Sequence, residues 1–255
     1  MQAPHWPRNP SVPLPRLRTV WQLWTTAAVL GAAGVATMAV DLPVARWVER
    51  GVCPDWLEKL ATQGETFGHG LGIVLIVLII GVLDPGHRAA IPRILAASLG
   101  SGLAANVLKL LVARVRPHHF DLGGDALDSF AGWLPVLTNA SWQQGFPSSH
   151  MATAAGLAIV LSSFYPRGRW LFPGLAALAG LQRVLELAHF PSDVLWGAAV
   201  GCIFAPLCVY GGRMSQSFDA LERGLLARNA CDNPASAHPS PRHSASKRDE
   251  MPHAA

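Results

Sequence analysis

Apolar and polar residues alternate along this chain in long blocks rather than at single positions. Six blocks carry little or no charge, and each is long enough to form a membrane-spanning helix. They cover residues 19–40, 66–83, 89–113, 147–165, 170–189 and 194–212. Short polar turns with proline, glycine or charged residues separate most of them. The pattern therefore predicts an all-α fold, a six-transmembrane-helix bundle.

The segments outside these blocks divide the chain further. Residues 41–65 mix tryptophans with charged side chains, which predicts an interfacial helix between the first two spans. We expect residues 1–18 to form a cytoplasmic N-terminal segment and 19–212 the membrane domain. Residues 213–255 are polar and end in a stretch rich in Ser, Pro and His, which is typical of a largely disordered tail.

Composition excludes several classes of protein. Of the 255 residues, 51% are hydrophobic and 14% charged, where a soluble domain carries about a quarter charged residues. This argues against a disordered chain, a coiled coil or an ordinary soluble domain. The net charge of +4 comes from scattered single residues, so it indicates membrane topology rather than a nucleic-acid partner. The four cysteines have no spacing that predicts a disulfide framework or a zinc ribbon.

Basic residues at the ends of the blocks predict the orientation. Six spans put both chain ends on one side, and the arginines near residues 16–18, 88–93 and 167–169 all fall on that side. Because basic loops are retained in the cytoplasm, we expect a multi-pass protein of the cytoplasmic membrane.

Polar residues that carry chemistry lie within or at the ends of the apolar blocks. A charged side chain in a span costs about 3 kcal/mol or more, so such residues suggest function. They are Lys109, Arg116, Ser148, Ser149, His150, Arg183, His189 and Asp193. In the alternating topology all of them reach the non-cytoplasmic face, which predicts one site there.

Three of these residues are cations, and a cluster of cations needs an anion between them. A phosphate suits Lys109, Arg116 and Arg183, because guanidinium groups bind its oxygens in pairs. The helix that starts near Ser148 would add free N–H groups and the positive end of its dipole. Glu186, three residues after Arg183, is interpreted as a structural partner of that arginine.

The two histidines suffice for covalent phosphoryl transfer. His189 would attack phosphorus and His150 would protonate the leaving oxygen. Asp193, four residues after His189, would hold the other ring nitrogen and so select the tautomer. The sequence contains nothing that resembles a carboxylate cage for Mg²⁺, and the fixed cations would stabilise the charge instead. We therefore predict no metal and no cofactor.

Three motifs in order resemble the type-2 phosphatidic acid phosphatase superfamily, which also contains the vanadium haloperoxidases. Its signature is K-x6-R-P, then P-S-G-H, then S-R-x5-H-x3-D. This chain reads KLLVARVRP from Lys109, PSSH from Pro147 and QRVLELAHFPSD from Gln182. Three spaced motifs in the same order are a much stronger signal than any one of them.

The resemblance implies a role for each matching residue. Phosphate would be bound by Lys109, Arg116, Arg183, the Ser148 hydroxyl and the Ser149 amide. His189 would form a phosphohistidine, His150 would act as general acid and then as base for water, and Asp193 would orient His189. Serine replaces the family's glycine at 149, which would be strained at a positive φ, and glutamine replaces its serine at 182. Neither change removes a reacting group, so we expect activity.

The predicted function is a metal-independent membrane phosphatase acting on a lipid phosphate at the outer leaflet. Phosphatidic acid, phosphatidylglycerol phosphate, a prenyl diphosphate and lipid A phosphate all fit a cationic pocket. Three alternatives remain at this point: a lipid phosphotransferase, a vanadate-dependent haloperoxidase, and a lipid-binding protein without turnover. The expected partners are the bilayer and its lipid phosphate, with no nucleic acid; the sequence does not predict an oligomeric state.

Overall fold

The computed structural model describes residues 16–135 and 140–232. Within these ranges the chain forms eight α-helices and one small sheet. The helices are α1 (Arg16–Glu49), α2 (Asp55–Gly68), α3 (Gly70–Leu83), α4 (Ile91–Lys109), α5 (Ser149–Phe164), α6 (Leu171–Leu185), α7 (Pro191–Val209) and α8 (Gly212–Asp232). Strands β1 (Val112–Arg114) and β2 (Phe130–Trp133) pair antiparallel in the loop after α4. The fold is thus mostly helical, as predicted, with this short sheet as the exception.

Several of these helices could cross a bilayer. In the described part of the chain, three stretches are long and apolar enough: Thr19–Glu49, Pro85–Lys109 and Pro191–Val209. Helices α2 and α3 pass the same test together but meet at a bend of 68°, and would make a fourth span. Helices α5 and α6 are apolar but shorter. The chain is an integral membrane protein with three or four candidate spans, and the number six remains a prediction.

The first helix is longer than the apolar block that predicts it. It continues through Glu49 and includes Asp41, which we expected in the interfacial segment. Asp41 is fully buried and accepts hydrogen bonds from Ser192 of α7, the helix against which α1 packs. The polar residue therefore belongs to a helix contact. Helix α2, farther along the same segment, packs mainly against α6; its position at an interface stays a prediction.

The second apolar block is not one helix but two. The chain turns at His69, which has extended backbone angles and lies between α2 and α3. A Cβ atom at Gly72 would stand 1.7 Å from the Thr66 carbonyl oxygen, so the close return of the chain requires glycine there. The His69 amide donates to Thr66, which leaves the Glu65 carbonyl outside the helical pattern.

Helix α5 lies at the centre of the bundle, in contact with α4, α6 and α7. Most of its residues between Met151 and Leu161 are buried. Small residues allow the helices to approach closely. A Cβ at Gly197 of α7 would stand 2.3 Å from the Ser148 carbonyl oxygen, so glycine brings α7 directly against the start of α5.

The chain after α7 continues as a helix, α8, up to Asp232. This covers the first half of the segment that we expected to be a largely disordered tail. Arg93 near the start of α4 contacts Asp219 at 2.5 Å and Glu222 at 2.7 Å, both on α8. Residues 233–255, like 1–15, lie outside the described residues, as do the predictions made for them.

Candidate active site

All eight residues singled out in the sequence meet at one end of the bundle. Lys109 ends α4, Arg116 follows β1, and Arg183 lies in the last turn of α6. Ser148, Ser149 and His150 begin α5, while His189 and Asp193 flank the start of α7. Arg183 and His189 lie close enough to His150 to interact with it electrostatically, and Lys109 and Arg116 lie equally close to His189. The predicted convergence is therefore present in the structure.

The backbone of residues 141–147 supplies acceptors to this site. The ammonium group of Lys109 donates to the Gln144 carbonyl oxygen. The neighbouring carbonyl oxygen, of Gly145, lies 2.7 Å from His189 Nδ1. These acceptors hold a cation and a histidine from two different parts of the chain, so this segment aligns them with each other.

Arg116 and Arg183 lie close enough in the site for the charge of Arg183 to act on Arg116. Burial and the charge of Arg183 lower the pKa of the Arg116 guanidinium, although Asp193 opposes the shift. Within the described residues, Arg116 Nε is buried and has no hydrogen-bond partner. An anion at this place would relieve the repulsion and satisfy the donor.

Arg183 is held from both sides. Its Nε donates to Gln182 Oε1 at 2.6 Å, and its Nη2 contacts Glu186 and, at 3.6 Å, Glu65. The expected pairing of Arg183 with Glu186 is confirmed, but Glu186 is 51% exposed, so this is not a buried pair. Gln182, which stands where the family has serine, thus fixes the direction of the guanidinium.

The start of α5 carries no strain at the substituted position. Ser148 is the N-cap, and its hydroxyl accepts a hydrogen bond from the Met151 amide at 3.3 Å. Ser149 is the first helical residue, while the described non-glycine residues with positive φ are Leu134 and Leu187. Serine therefore fits where the family has glycine.

His189 is buried and has a defined tautomer. Since a carbonyl oxygen can only accept, the Gly145 contact places the proton on Nδ1 and leaves a lone pair on Nε2. Burial lowers the pKa of His189, opposed by Asp193, so the ring is neutral near pH 7. Asp193 Oδ2 stands 3.9 Å from Nδ1. The direct hydrogen-bond partner of His189 Nδ1 is thus the Gly145 carbonyl oxygen, and the Asp193 carboxylate, which we expected in that place, lies farther away.

His150 contacts the bend between α2 and α3. Its Nε2 lies 3.0 Å from the Glu65 carbonyl oxygen, and its ring centroid lies 6.3 Å from that of His69. A Cβ at Gly68 would stand 2.5 Å from His150 Cδ2, so the ring rests on the backbone of the bend. Across residues 16–135 and 140–232, no three His, Cys, Asp or Glu side chains are grouped as metal ligands would be.

The largest feature that the sequence did not predict is a buried network around Arg114. Its Nη1 donates to Asp193 at 2.5 Å and to Ser192 at 2.7 Å. Its Nη2 donates to Asp41 at 2.8 Å, and its Nε to Ser129 at 3.0 Å. Arg114 lies inside the first motif, two residues before Arg116, which is the one signal that could have found it. Asp41 precedes it by 73 residues and gave no such signal.

This geometry defines the class of protein: an integral membrane protein with a cationic, histidine-containing site at one end of a helical bundle. Residues 92–216 match the PAP2 superfamily model. The chain is also 30% identical over 152 residues to decaprenylphosphoryl-5-phosphoribose phosphatase of Mycobacterium tuberculosis, covering 57% of this chain and 75% of that protein. The chain belongs to the PAP2 superfamily, which confirms the resemblance seen in the motifs.

Two further similarities extend over different parts of the chain. Lipid A 1-phosphatase of Rhizobium johnstonii is 38% identical over 108 residues, which cover 42% of this chain and 41% of that relative. The chain thus spans less than half the length of the lipid A 1-phosphatases it matches. The crystal structure of a transmembrane PAP2-type phosphatidylglycerolphosphate phosphatase from Bacillus subtilis aligns with a TM-score of 0.52 at 22% identity, over 79% of this chain and 96% of that one. This similarity concerns the fold.

Proposed function

We propose that this protein is a membrane phosphatase that hydrolyses a lipid phosphate through a phosphohistidine intermediate, without a metal ion. The observation that carries the proposal is the geometry around His189. A neutral, buried imidazole with a free Nε2 lone pair stands among the charges of Lys109 and Arg116. A nucleophilic nitrogen surrounded by cations is the arrangement that a phosphoryl group requires.

Phosphate binding rests on groups that have donors to spare. Arg116 has a buried Nε without a protein partner among the described residues, and Arg183 lies close enough to affect it electrostatically. The first amides of α5, around Ser149, have no helical carbonyl to bind. Together these groups would stabilise the charge on the equatorial oxygens in the transition state, the task that a metal performs in other phosphatases.

In the first step, His189 Nε2 attacks phosphorus and a P–N bond forms while the P–O bond to the lipid breaks. The electron pair of the broken bond stays on the leaving oxygen, which takes a proton from His150, whose doubly protonated form the bound phosphate anion would stabilise. The leaving group is a lipid alcohol, or a lipid monophosphate if the substrate is a diphosphate. The Gly145 carbonyl and Asp193 stabilise the positive charge that develops on His189.

In the second step, water attacks phosphorus and the P–N bond breaks. His150, now neutral, takes the proton from the water, and the electron pair returns to His189 Nε2. Orthophosphate leaves and both histidines regain their starting protonation. The two steps balance without an oxidant or a reductant.

The substrate class follows from where the site lies. It is formed at the ends of apolar helices, so a substrate could keep its hydrocarbon chain in the bilayer while its phosphate enters the site. The relatives' names refer to lipid A and to a decaprenylphosphoryl sugar phosphate. We propose that the substrate is a lipid phosphate, and the candidates are phosphatidic acid, phosphatidylglycerol phosphate and a prenyl diphosphate.

The proposed topology has six spans, with the site on the non-cytoplasmic side of the cytoplasmic membrane. It requires that α5 and α6 cross the membrane as well. At about 1.5 Å per residue, the 16 residues of α5 extend about 24 Å, so irregular ends would have to complete the span. The basic residues Arg88 and Arg167 lie in turns at the end opposite the site, which supports a cytoplasmic location for that end.

The experiment that tests the function measures phosphate release from a panel of these lipids in detergent with EDTA present. The wild type and His189→Ala are compared, with His87→Ala as the matched control, because His87 pairs with Asp84 away from the site. We expect release by the wild type and the control, and none by His189→Ala. Release that persists in His189→Ala, or that depends on an added metal, contradicts the proposal. Labelled phosphate on a second lipid instead of in solution would indicate a phosphotransferase.

A further inference from the structure

The buried residues Asp41, Arg114, Ser129, Ser192 and Asp193 form one hydrogen-bonded group, here called the Arg114 cluster. All five are 0% exposed. The cluster joins α1, the β1–β2 loop region and the start of α7. Arg114 makes a direct contact with each of the other four.

We propose that Arg114 is a positioning residue for the reaction, which fixes the Asp193 carboxylate behind His189 and, through Asp41, connects the first helix to the reacting centre. The inference rests on the proposed function, because it assigns Arg114 a part in the same phosphoryl transfer. Arg114 itself would contact neither the substrate nor the reacting atoms.

Both oxygens of the Asp193 carboxylate have a hydrogen-bond donor. Asp193 Oδ1 accepts from Arg114 at 2.5 Å, while Oδ2 accepts from the Phe190 amide at 2.8 Å and faces His189 Nδ1 at 3.9 Å. Both oxygens are therefore occupied, and the carboxylate has no freedom to turn. Without Arg114, Oδ1 would lose its charged partner and the carboxylate could move toward His189.

The Arg114 cluster also carries charge. Burial disfavours the charged form of the Asp41 carboxyl, and the hydrogen bonds that it accepts from the Ser192 amide, the Ser192 hydroxyl and Arg114 oppose that effect. With both carboxyls ionised, the cluster has two carboxylates for one guanidinium. Facing His189 are Lys109 from α4, Arg116 after β1, His150 from α5 and Asp193 from α7. The excess negative charge would offset these cations when His189 becomes a positively charged phosphohistidine.

The surroundings of Arg114 fit a guanidinium better than an ammonium group. The Arg114 group lies between two aromatic rings, 4.6 Å from the centroid of Phe130 and 4.5 Å from that of Phe190. All three of its nitrogens donate to the cluster. A planar group with donors on three separate nitrogens meets both demands, whereas an ammonium group donates from a single nitrogen and has no flat face to stack between the rings.

The test uses the full chain in detergent with the best substrate of the lipid panel. Arg114→Met, Arg114→Lys and Asp41→Asn are compared with the wild type. The matched control is Arg93→Met, since Arg93 is also buried and also contacts two carboxylates, but on α8. The measurements are kcat, KM, the melting temperature and the pH dependence of kcat/KM.

We expect Arg114→Met to lower kcat about 100-fold, the size of effect that a displaced reacting group produces, with KM changed less than about threefold because Arg114 does not touch the phosphate. Arg114→Lys should recover part of this loss. The acid limb of kcat/KM should move to higher pH in Arg114→Met, which loses a positive charge near His189. It should move to lower pH in Asp41→Asn, which loses a negative one.

Arg93→Met should lower the melting temperature without moving kcat or the acid limb. The inference is overturned if Arg114→Met keeps the kcat and acid limb of the wild type per folded molecule. If Arg114→Met does not fold, Asp41→Asn decides: an unchanged kcat and acid limb overturns the inference. If His189→Ala remains active, the proposed function itself is contradicted. If His189→Ala is inactive while Asp41→Asn keeps the kcat and acid limb of the wild type, only this inference is contradicted.

Discussion

Each end of α4 has a buried arginine between two carboxylates, and the two arrangements differ in where those carboxylates lie. Arg93 contacts Asp219 and Glu222 of α8, whose side chains are 24% and 21% exposed. Arg114, just beyond the other end of the helix, contacts Asp41 and Asp193, and both are fully buried. The same residue types are thus placed once against solvent and once away from it.

The difference determines what each group can do. If Arg93 is lost, water can reach its two acidic partners, so the cost is limited to a weaker contact between α4 and α8. If Arg114 is lost, two carboxylates remain buried without a cation, which is among the most destabilising changes a protein can suffer. The buried contacts of Arg114 therefore hold the two carboxylates in one geometry, as a carboxylate near the proposed nucleophile, His189, requires. Arg93 joins two helices, whereas Arg114 belongs to the site.

The largest expected effect concerns Arg116, the arginine that we propose binds the phosphate and that differs in this from Arg93 and Arg114. Arg116→Met should lower kcat/KM about 100- to 1,000-fold, since it removes a proposed donor to the phosphoryl group. The melting temperature should stay the same or rise, because repulsion between Arg116 and Arg183 disappears. Steady-state kinetics and thermal unfolding measure the two effects, and Arg167→Met, at an exposed position, serves as the control. A melting temperature that falls strongly would make Arg116 a structural arginine.

Arg93→Met tests the buried arginine near the start of α4. We expect the free energy of unfolding to fall by about 1–3 kcal/mol, a typical cost for a lost ion pair whose partners can still be hydrated. The specific activity of the folded protein should be unchanged, because α8 lies at the end opposite the site. Denaturation in detergent and activity per folded molecule are the measurements. A lowered kcat would mean that the two ends of α4 are coupled.

The pH dependence tests the environment of the reacting histidine. Burial lowers the pKa of His189. As the proposed nucleophile it must be neutral, so it should remain competent below the ordinary histidine pKa of about 6.5. The acid limb of kcat/KM should therefore lie below this value, with activity lost as the pH falls through the folded-state pKa. A pH–rate profile of the wild type measures it. A limb at or above the ordinary value would show that His189 is hydrated or that another group limits the rate.

The smallest expected effect concerns the serine at the start of α5. Ser149→Gly should change kcat/KM less than about twofold, since Ser149 already has helical backbone angles. Glycine should lower helix stability by at most about 1 kcal/mol. Parallel kinetics and melting curves would measure both. A large gain in activity would mean that the serine side chain obstructs the phosphate.

Hydropathy predicts the helices of this chain well but not their interruptions. The apolar blocks locate α4, α5, α6 and α7 to within a few residues, because burial in a bilayer or a core needs long apolar runs. The bend at His69 is not visible in that pattern, since the uncharged block that starts at Thr66 continues across it. The pattern does not show that α1 extends past Asp41 either, because the hydrogen-bond donors that allow this carboxylate to be buried come from residues distant in sequence.

The motifs predict the site residues and miss what aligns them. Lys109, His150 and His189 stand at fixed spacings beside recognisable neighbours, so a single sequence identifies them. The Gly145 carbonyl that sets the tautomer of His189 is a backbone group, and every residue type provides one. The pairing of Asp41 with Arg114 depends on two helices meeting, and no local pattern encodes it.

The bend between α2 and α3 has a consequence for how this site tolerates sequence change. Because His69 donates to Thr66, the carbonyl oxygen of Glu65 is available to His150. This acceptor belongs to the main chain, so a substitution at position 65 alters the side chain near Arg183 and leaves the acceptor in place. Only a change that straightens the bend, such as a bulkier residue at Gly72, would withdraw it. The contact between His150 and this carbonyl oxygen thus depends on the path of the backbone, and the residue type at position 65 can change without loss of the contact.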